Sequence, residues 1–460
     1  MALADLEAAT EPAPKSGKSI AMLAELILTV TIVAGAVYIA LFFYQWRFLP
    51  QPFTYDPSQT FMDWVTTAFY AHRPGAYGVW GTVYPPLSFA FLKIFSNSSC
   101  YSTDLIFGTN ASTATLECDR VSQISIVGFY VINVFLTFLC LRRSDPSTAV
   151  LRTIAIACGL PMLFTLERGN LIMPCYTFFM LGHARILRPA WLRWLSLAMS
   201  INFKPYLALT VLPYGVLRRW RWLEGCGLAT LLVYLVTYAI VGEGSPMEIF
   251  KNQALWLEST SGDLWWNLFY STTYMSWFRA IHGSYPILLF FDSRPLDLAS
   301  FVIPLVIRIG QVGVIAAMAA AWFRPGAATA YRLAALGLSL VLTASNPGGY
   351  TELFIVFMVF FERWKGVAPV IALVAAYLIS IPVDHIVTVT VSAPQESWLG
   401  KREVINTYGI SLGQFVRPGL LLIIQYALSA ATLVEAWRLG PTVRAVLIEP
   451  VDRATAVETA

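Results

Sequence analysis

Asp63 is the acidic side chain in this chain best placed to do chemistry. It stands alone in a polar stretch just past the first long apolar segment, and Tyr84-Pro85-Pro86-Leu87 follows it. An aspartate on an interfacial helix, pointed into a cavity, can accept a proton from an attacking hydroxyl. The competing reading is a solvated loop carboxylate, the usual fate of a charged loop residue. Asp56 is a weaker competitor, since an Asp-Pro turn with Pro57 explains it. Glu167-Arg168-Gly169-Asn170 lies at a junction between two apolar runs. Arg168 there suits bidentate binding of a phosphate, and Asn170 suits donation to a hydroxyl. The plain alternative is a capped helix–helix turn with a Glu–Arg pair. Lys204 sits in Asn202-Phe203-Lys204-Pro205, among apolar residues. A lysine there is costly unless paired, and a lipid-borne phosphate is a fitting partner; snorkelling is the alternative.

The remaining candidates come later in the chain. Arg279 and His282 follow a loop rich in aromatic residues, and Arg308 lies inside an apolar run, either as a second phosphate contact or paired with Glu352. The hairpin 345–352 is a turn by virtue of its Pro and Gly residues, and it offers Tyr350 and Glu352 to the opposite wall of a site.

These side chains need positioning by a membrane protein. Hydrophobic residues make up 57% of the chain and charged residues only 13%, against roughly 25% charged in soluble domains. The net charge of +4 is small and dispersed, which argues against nucleic acid. No Gly-rich phosphate loop and no Walker-type motif occurs, so a nucleotide or nucleotide-sugar enzyme is not expected. The four His are far apart and no CxxC occurs, so no metal site is expected and no cofactor is implied. Cys140, Cys158, Cys175 and Cys226 fall in apolar runs and read as inert small hydrophobes. Cys100 and Cys118 flank a Ser/Thr/Asn-rich stretch and read as a disulfide if that loop faces an oxidising compartment.

Basic clusters set the orientation. They fall at Arg142-Arg143, Arg185 to Arg193, Arg218 to Arg221, Arg324 to Arg332, Arg363 to Lys365 and Arg438 to Arg444. Placing them all in the cytoplasm gives an all-α, polytopic chain of about twelve transmembrane segments. These run 20–43, 121–141, 149–166, 170–187, 191–203, 206–218, 223–242, 301–323, 330–345, 352–362, 367–390 and 415–437. Cytoplasmic tails occupy 1–19 and 438–460. The charges in 1–19 do not follow the pattern of a cleaved leader, so 20–43 is expected to be a retained anchor. The polar loops 44–120, 243–300, 346–351 and 391–414 then lie outside. Segments 191–203 and 206–218 are each too short to span and are expected to meet at Lys204-Pro205 beside a polar cavity. Within 44–120, the stretches 61–70 and 87–95 suit helices lying at the interface. The aromatics of 243–300, with Trp265-Trp266 and Trp277 among them, read first as an interfacial belt.

Taken in order, Asp63, Tyr84-Pro85-Pro86-Leu87, Arg168-Gly169-Asn170, Lys204-Pro205-Tyr206, Pro213 and Arg218-Arg219-Trp220-Arg221 resemble the GT-C superfamily of polyprenyl-phosphate-sugar glycosyltransferases. Within it the chain looks most like glycosyltransferase family 87, which includes mannosyltransferases. The resemblance covers residues 20–222 and carries a module extending over 20–242. Residues 301–437 form a variable set of helices. The Ser-Asn-Pro-Gly-Gly-Tyr turn at 345–350 lacks the His that the family often shows there. Asn267 and Arg279 only loosely echo the family's outer-loop pattern. The resemblance implies an inverting transfer at the outer face of a cytoplasmic membrane, mannose-type hexose favoured, from a polyprenyl-phosphate donor to a lipid or glycan hydroxyl. It implies Asp63 as general base and Lys204, Arg168 and Arg279 at the donor phosphate. Asp56, Tyr84, Asn170, His282, Tyr350 and Glu352 would line the substrates. Membrane lipids are the surroundings and nucleic acid is no partner. The alternatives from other classes are an O-antigen ligase or polymerase using pyrophosphate-linked glycans, and a lipid-linked-sugar flippase.

Overall fold

The computed structural model describes residues 15–53, 59–101, 113–241, 245, 247–259, 271–274, 293–344, 348–387, 391–397, 401–408 and 411–440. Asp56, Arg279, His282, Asn267 and the aromatics Trp265, Trp266 and Trp277 lie outside the described residues, as do most of both tails.

The chain is mainly helical. In order come α1 (Lys15–Trp46), α2 (Met62–Ala71), α3 (Pro86–Leu92), α4 (Thr113–Cys118), α5 (Arg120–Ser144), α6 (Ala149–Ala157), α7 (Leu160–Arg168) and α8 (Ile172–His183). Then follow α9 (Ala190–Phe203), a 3₁₀ turn (Pro205–Thr210), α10 (Leu212–Val216), α11 (Trp220–Val241) and α12 (Glu248–Ser259). The last part holds α13 (Ser293–Phe323), α14 (Ala330–Ala344), α15 (Glu352–Val359), α16 (Val367–Ile379) and α17 (Gly413–Arg438). A hairpin of β1 (Val391–Ser397) and β2 (Arg402–Tyr408) precedes α17, paired antiparallel from Val391 opposite Tyr408 to Ser397 opposite Arg402.

Among the described residues, six helices are long and apolar enough to cross a membrane: Ile20–Trp46, Arg120–Ser144, Ala149–Arg168, Trp220–Val241, Asp297–Phe323 and Gly413–Arg438. Four shorter apolar stretches accompany them: Pro205–Val216, Ala330–Ala344, Gly349–Val359 and Val367–Ile379. This is the build of a multi-pass membrane protein. The long helices sort into two kinds. Ile20–Trp46 and Trp220–Val241 bury only 22% and 17% of their apolar windows, so the rest of that surface needs lipid, whereas Ala149–Arg168 buries 67% and belongs to the interior. Around α15, every residue from Leu353 to Phe360 is buried, and Tyr176 and Phe179 pack edge-on against Phe354 and Phe357.

Three differences from the sequence reading have physical causes. The hairpin falls in the expected outer loop 391–414, where Val404 and Ile405 supply β-branched residues suited to a pleated strand. The expected break at Lys204 is present, but Pro205 opens a 3₁₀ turn rather than a second α-helix at once. Arg308 is not the partner of Glu352: Arg308 is exposed on α13, and Glu352 shares a buried cavity with Arg417.

One end of the bundle is closed by charge. The Arg152 guanidinium donates to Glu25 at 2.5 Å, and both side chains are buried. Glu25 also accepts from the Tyr377 hydroxyl at 3.0 Å and from the Trp364 indole. Beside them Arg332 grips Glu362 with two hydrogen bonds of 2.7 Å and reaches Glu435 at 2.8 Å. These contacts tie α1, α6, α14, α16 and α17 at the level of the Arg142-Arg143 and Arg324 clusters. Removing one member of a buried pair costs roughly 3–5 kcal/mol, because the other charge is stranded. Arg152→Met is therefore expected to lower the unfolding temperature in detergent, and adding Glu25→Gln to the same chain should restore most of it. Equal unfolding temperatures for wild type and Arg152→Met would show that the pair contributes nothing.

Candidate functional site

The opposite end carries Asp63. Helix α7 ends at Arg168 because Gly169 adopts a left-handed conformation, φ 58°. The Gly169 N–H donates to Leu166 O and the Asn170 N–H to Thr165 O, which closes the helix in a Schellman turn. The next helix starts almost at once, its Ile172 N–H capped by Asn170 Oδ1 at 3.0 Å. That turn holds out two side chains. Arg168 donates to Asp63 Oδ1 at 2.6 Å, and Asn170 donates through Nδ2 to Asp63 Oδ2 at 2.8 Å.

The backbone brings the partners together as well. Phe61, just ahead of α2, donates its N–H to Glu167 O at 2.7 Å. Phe61 is itself left-handed, φ 65°, an uncommon conformation for a side chain of its size. Gly169 is needed for this approach: a Cβ there would meet Phe61 Cα at 3.0 Å and Phe61 O at 3.1 Å. The carboxylate is partly exposed, at 19% of its side chain, so it remains reachable from outside.

Around the carboxylate stand Tyr84, Lys204 and Tyr350. The Tyr84 loop is pinned: the Tyr77 hydroxyl donates to Tyr84 O at 3.0 Å, and Asn252 of α12 donates to Tyr77 O and Thr82 O. Lys204 Nζ lies 5.3 Å from the centre of the Tyr84 ring, a cation–π distance, and Asp63 acts on it electrostatically. Burial, and after it the Asp63 charge, pushes the phenols of Tyr84 and Tyr350 well above the ordinary tyrosine range. Both hydroxyls stay protonated at physiological pH and keep a proton to donate.

The loop beneath α2 is tied down. Cys100 and Cys118 form a disulfide, with Cα atoms 5.7 Å apart. Asp119 accepts from the Asn97 and Ser122 N–H groups, the Ser122 hydroxyl and the Tyr101 hydroxyl, the last at 2.6 Å. His72, the residue after α2, lies 2.8 Å from Ser96 Oγ and stacks on Tyr101.

Of the site residues expected from sequence, the structure gathers Asp63, Arg168, Asn170, Tyr84, Lys204 and Tyr350. Glu352 lies apart, on the wall of a neighbouring cavity. Arg168, expected at a phosphate, donates to the Asp63 carboxylate. An ion pair spanning 105 residues joins that turn to α2. Sequence reasoning passed over Arg417 and Asp384, which pair at 2.7 Å with both side chains mostly buried. A charged Arg within an apolar helix was the available signal.

The chain matches no protein-family model, no curated protein and no solved structure.

Two outcomes check this geometry. Gly169→Ala combines a left-handed φ with close backbone contact, and is expected to cost about 1–2 kcal/mol. The same change at Gly227, where a Cβ meets nothing within 4 Å, should leave the unfolding temperature near wild type. For His72, burial and then Lys93 lower its pKa, against a smaller upward pull from Asp119. The unfolded loop then binds the proton more readily, so stability falls as pH drops below the ordinary histidine value of ~6.5. Amide exchange at the end of α2 should quicken between pH 7 and 5, and His72→Gln should flatten that dependence.

Proposed function

We propose that this protein is a membrane glycosyltransferase. It moves a sugar, mannose-type hexose favoured, from a polyprenyl-phosphate donor to a hydroxyl of a lipid or glycan acceptor, with inversion. The observation that carries this reading is the Asp63 carboxylate held by Arg168 and Asn170 with Lys204 beside it. An oriented base and fixed cations are what such a transfer requires.

The steps follow from charge. The acceptor hydroxyl approaches Asp63 and gives up its proton to the carboxylate. The new bond forms between the acceptor oxygen and the anomeric carbon as the bond from that carbon to the phosphate oxygen breaks. The electron pair leaves with the polyprenyl phosphate, which gains one negative charge. Lys204 neutralises that charge, and Arg168 serves both sides, orienting Asp63 and facing the leaving phosphate. Asn170 fixes the second carboxylate oxygen, so the base cannot rotate away. The protonated phenols of Tyr84 and Tyr350 supply donors for sugar hydroxyls.

The twelve-span arrangement, with both termini cytoplasmic and the site outside, belongs to the same reading. Helix α5 begins beside Cys118 and ends in Arg142-Arg143, so the disulfide and the basic cluster mark opposite ends of it. An oxidising exterior and a positive interior fit that polarity.

The test is transfer by purified protein in nanodiscs, offered radiolabelled polyprenyl-phosphate mannose, glucose, galactose and arabinose with a membrane-lipid extract. Asp63→Asn should lose at least 100-fold in rate, the lower range for general-base removal, in protein that is still folded. Lys204→Met should raise the donor KM and slow turnover together. Product from Asp63→Asn at wild-type rate would reject the base. Transfer only from pyrophosphate-linked glycans would favour a ligase, and lipid flipping without product a transporter.

A further inference from the structure

The end of the bundle that carries Arg142-Arg143 holds a concentration of positive charge that the proposed transfer does not use. Arg185 lies between α8 and α9, Arg193 on the first turn of α9, and Arg219 just ahead of α11. Arg193 is half-buried and fixed in two ways. Its Nε donates to Gly182 O at 3.2 Å, which satisfies a carbonyl near the end of α8. Its guanidinium lies over the Trp222 ring, 4.5 Å from the centre, and the Tyr214 ring stacks on Trp222 at 4.6 Å.

The other two arginines are brought in by the backbone. Arg218 is left-handed, φ 58°, in the turn between α10 and α11. The next residue, Arg219, donates its N–H to Tyr214 O at 2.7 Å. Arg185 is held through its carbonyl, which accepts from Arg143 of α5 at 2.6 Å.

These guanidinium groups gather around two phenols. Arg193 interacts electrostatically with the Tyr214 and Tyr331 side chains, then with Arg185 and Arg219. Arg219 interacts with Tyr214 and with Arg185. Like charges brought together are costly unless a counter-charge offsets them. Among the described residues none of the three arginines has a carboxylate in ion-pair range. The acids at this end are committed elsewhere: Glu25 to Arg152, Glu362 and Glu435 to Arg332, and Asp145 to Ser147 and Thr148. Glu224 is exposed and pairs with none of them among the described residues.

The counter-charge that fits is a phosphate. Guanidinium forks bind its oxygens in pairs, and phenol hydroxyls donate to the oxygens that remain. A carboxylate offers too few oxygens for so many donors. The surroundings favour a phosphate carried by a lipid. Trp220, next to Arg219, is 49% exposed, and its indole is a side chain suited to the boundary between headgroups and acyl chains. Basic pockets between helices at that boundary take anionic headgroups.

We propose that Arg185, Arg193 and Arg219, with the hydroxyls of Tyr214 and Tyr331, form a phosphate-binding site for the headgroup of an anionic phospholipid. A phosphate there bridges the α8–α9 loop, α9, the turn before α11 and the start of α14, and so stabilises the fold. The site is independent of the transferase reading.

The test is the unfolding temperature of the full-length protein in neutral detergent, titrated with phosphatidylglycerol, phosphatidylcholine or inorganic phosphate. Phosphatidylglycerol should raise it saturably, and phosphatidylcholine should not. Arg185→Gln combined with Arg219→Gln should need about tenfold more phosphatidylglycerol for the same effect, the worth of one hydrogen bond to a charged group. Arg193 is left intact because it holds the end of α8. Arg188→Gln combined with Arg221→Gln removes the same charge from exposed positions at the same end, and should titrate as wild type. Should the first pair fail to fold, Arg185→Gln alone, at an exposed position, should still weaken the titration. No shift with phosphatidylglycerol or phosphate, or equal titration in wild type and the Arg185 variants, would overturn the site. An equal loss in the Arg188 and Arg221 pair would overturn it too, by reducing the effect to general surface charge. A shift from inorganic phosphate alone, lost in the Arg185 and Arg219 pair, would keep the phosphate site and reject the lipid as its source.

Discussion

The carboxylate of Asp63 is held by two side chains from one turn, and much of the surrounding structure serves that hold. Arg168 and Asn170 flank a left-handed glycine, so two consecutive helices can end and begin within a few residues. The turn lets the backbone at Phe61 approach closely, and that approach sets where α2 starts. An Asp on the first turn of a short helix would otherwise swing with its loop. Clamped through both oxygens, it has one orientation.

A low-dielectric surrounding makes charge placement strict. Within hydrocarbon, a polar group must find its partner inside the protein. This chain meets that demand at two levels separated by the length of its interior helices. Arg152 and Arg168 lie sixteen residues apart along Ala149–Arg168, about 24 Å if the helix ran straight. One level is saturated: Glu25, Arg152, Arg332 and Glu362 satisfy one another and their backbone neighbours. The other is left incomplete, with Asp63 partly exposed and Glu352 short of a partner. Saturated charges lock helices together.

The polar loop after α1 is scaffold as much as surface. Its disulfide, the four hydrogen bonds gathered by Asp119 and the His72–Tyr101 stack hold the far end of α2. Asn252 of α12 holds the loop that carries Tyr84. The two sides of the site are therefore fixed by separate parts of the chain.

Much of this organisation was legible in the residues. Apolar runs gave the long helices, because hydrocarbon requires about 20 such residues to span it. Lys204-Pro205 marked the broken helix, since Pro cannot supply the next N–H. Asp63, Arg168 and Asn170 stood out as polar groups where few exist. Their joining did not: a pair spanning 105 residues is set by helix packing, and no local pattern records it. The same holds for the β1–β2 hairpin, whose strands carry little alternation, and for Glu352, for which sequence offered Arg308 as one partner and packing supplied Arg417 as a neighbour. The order of residues alone sets which segments need lipid and which side chains are too costly to leave idle there. Which charge meets which is set by packing, because in a low dielectric that choice depends on distances of a few ångströms between helices remote in the chain.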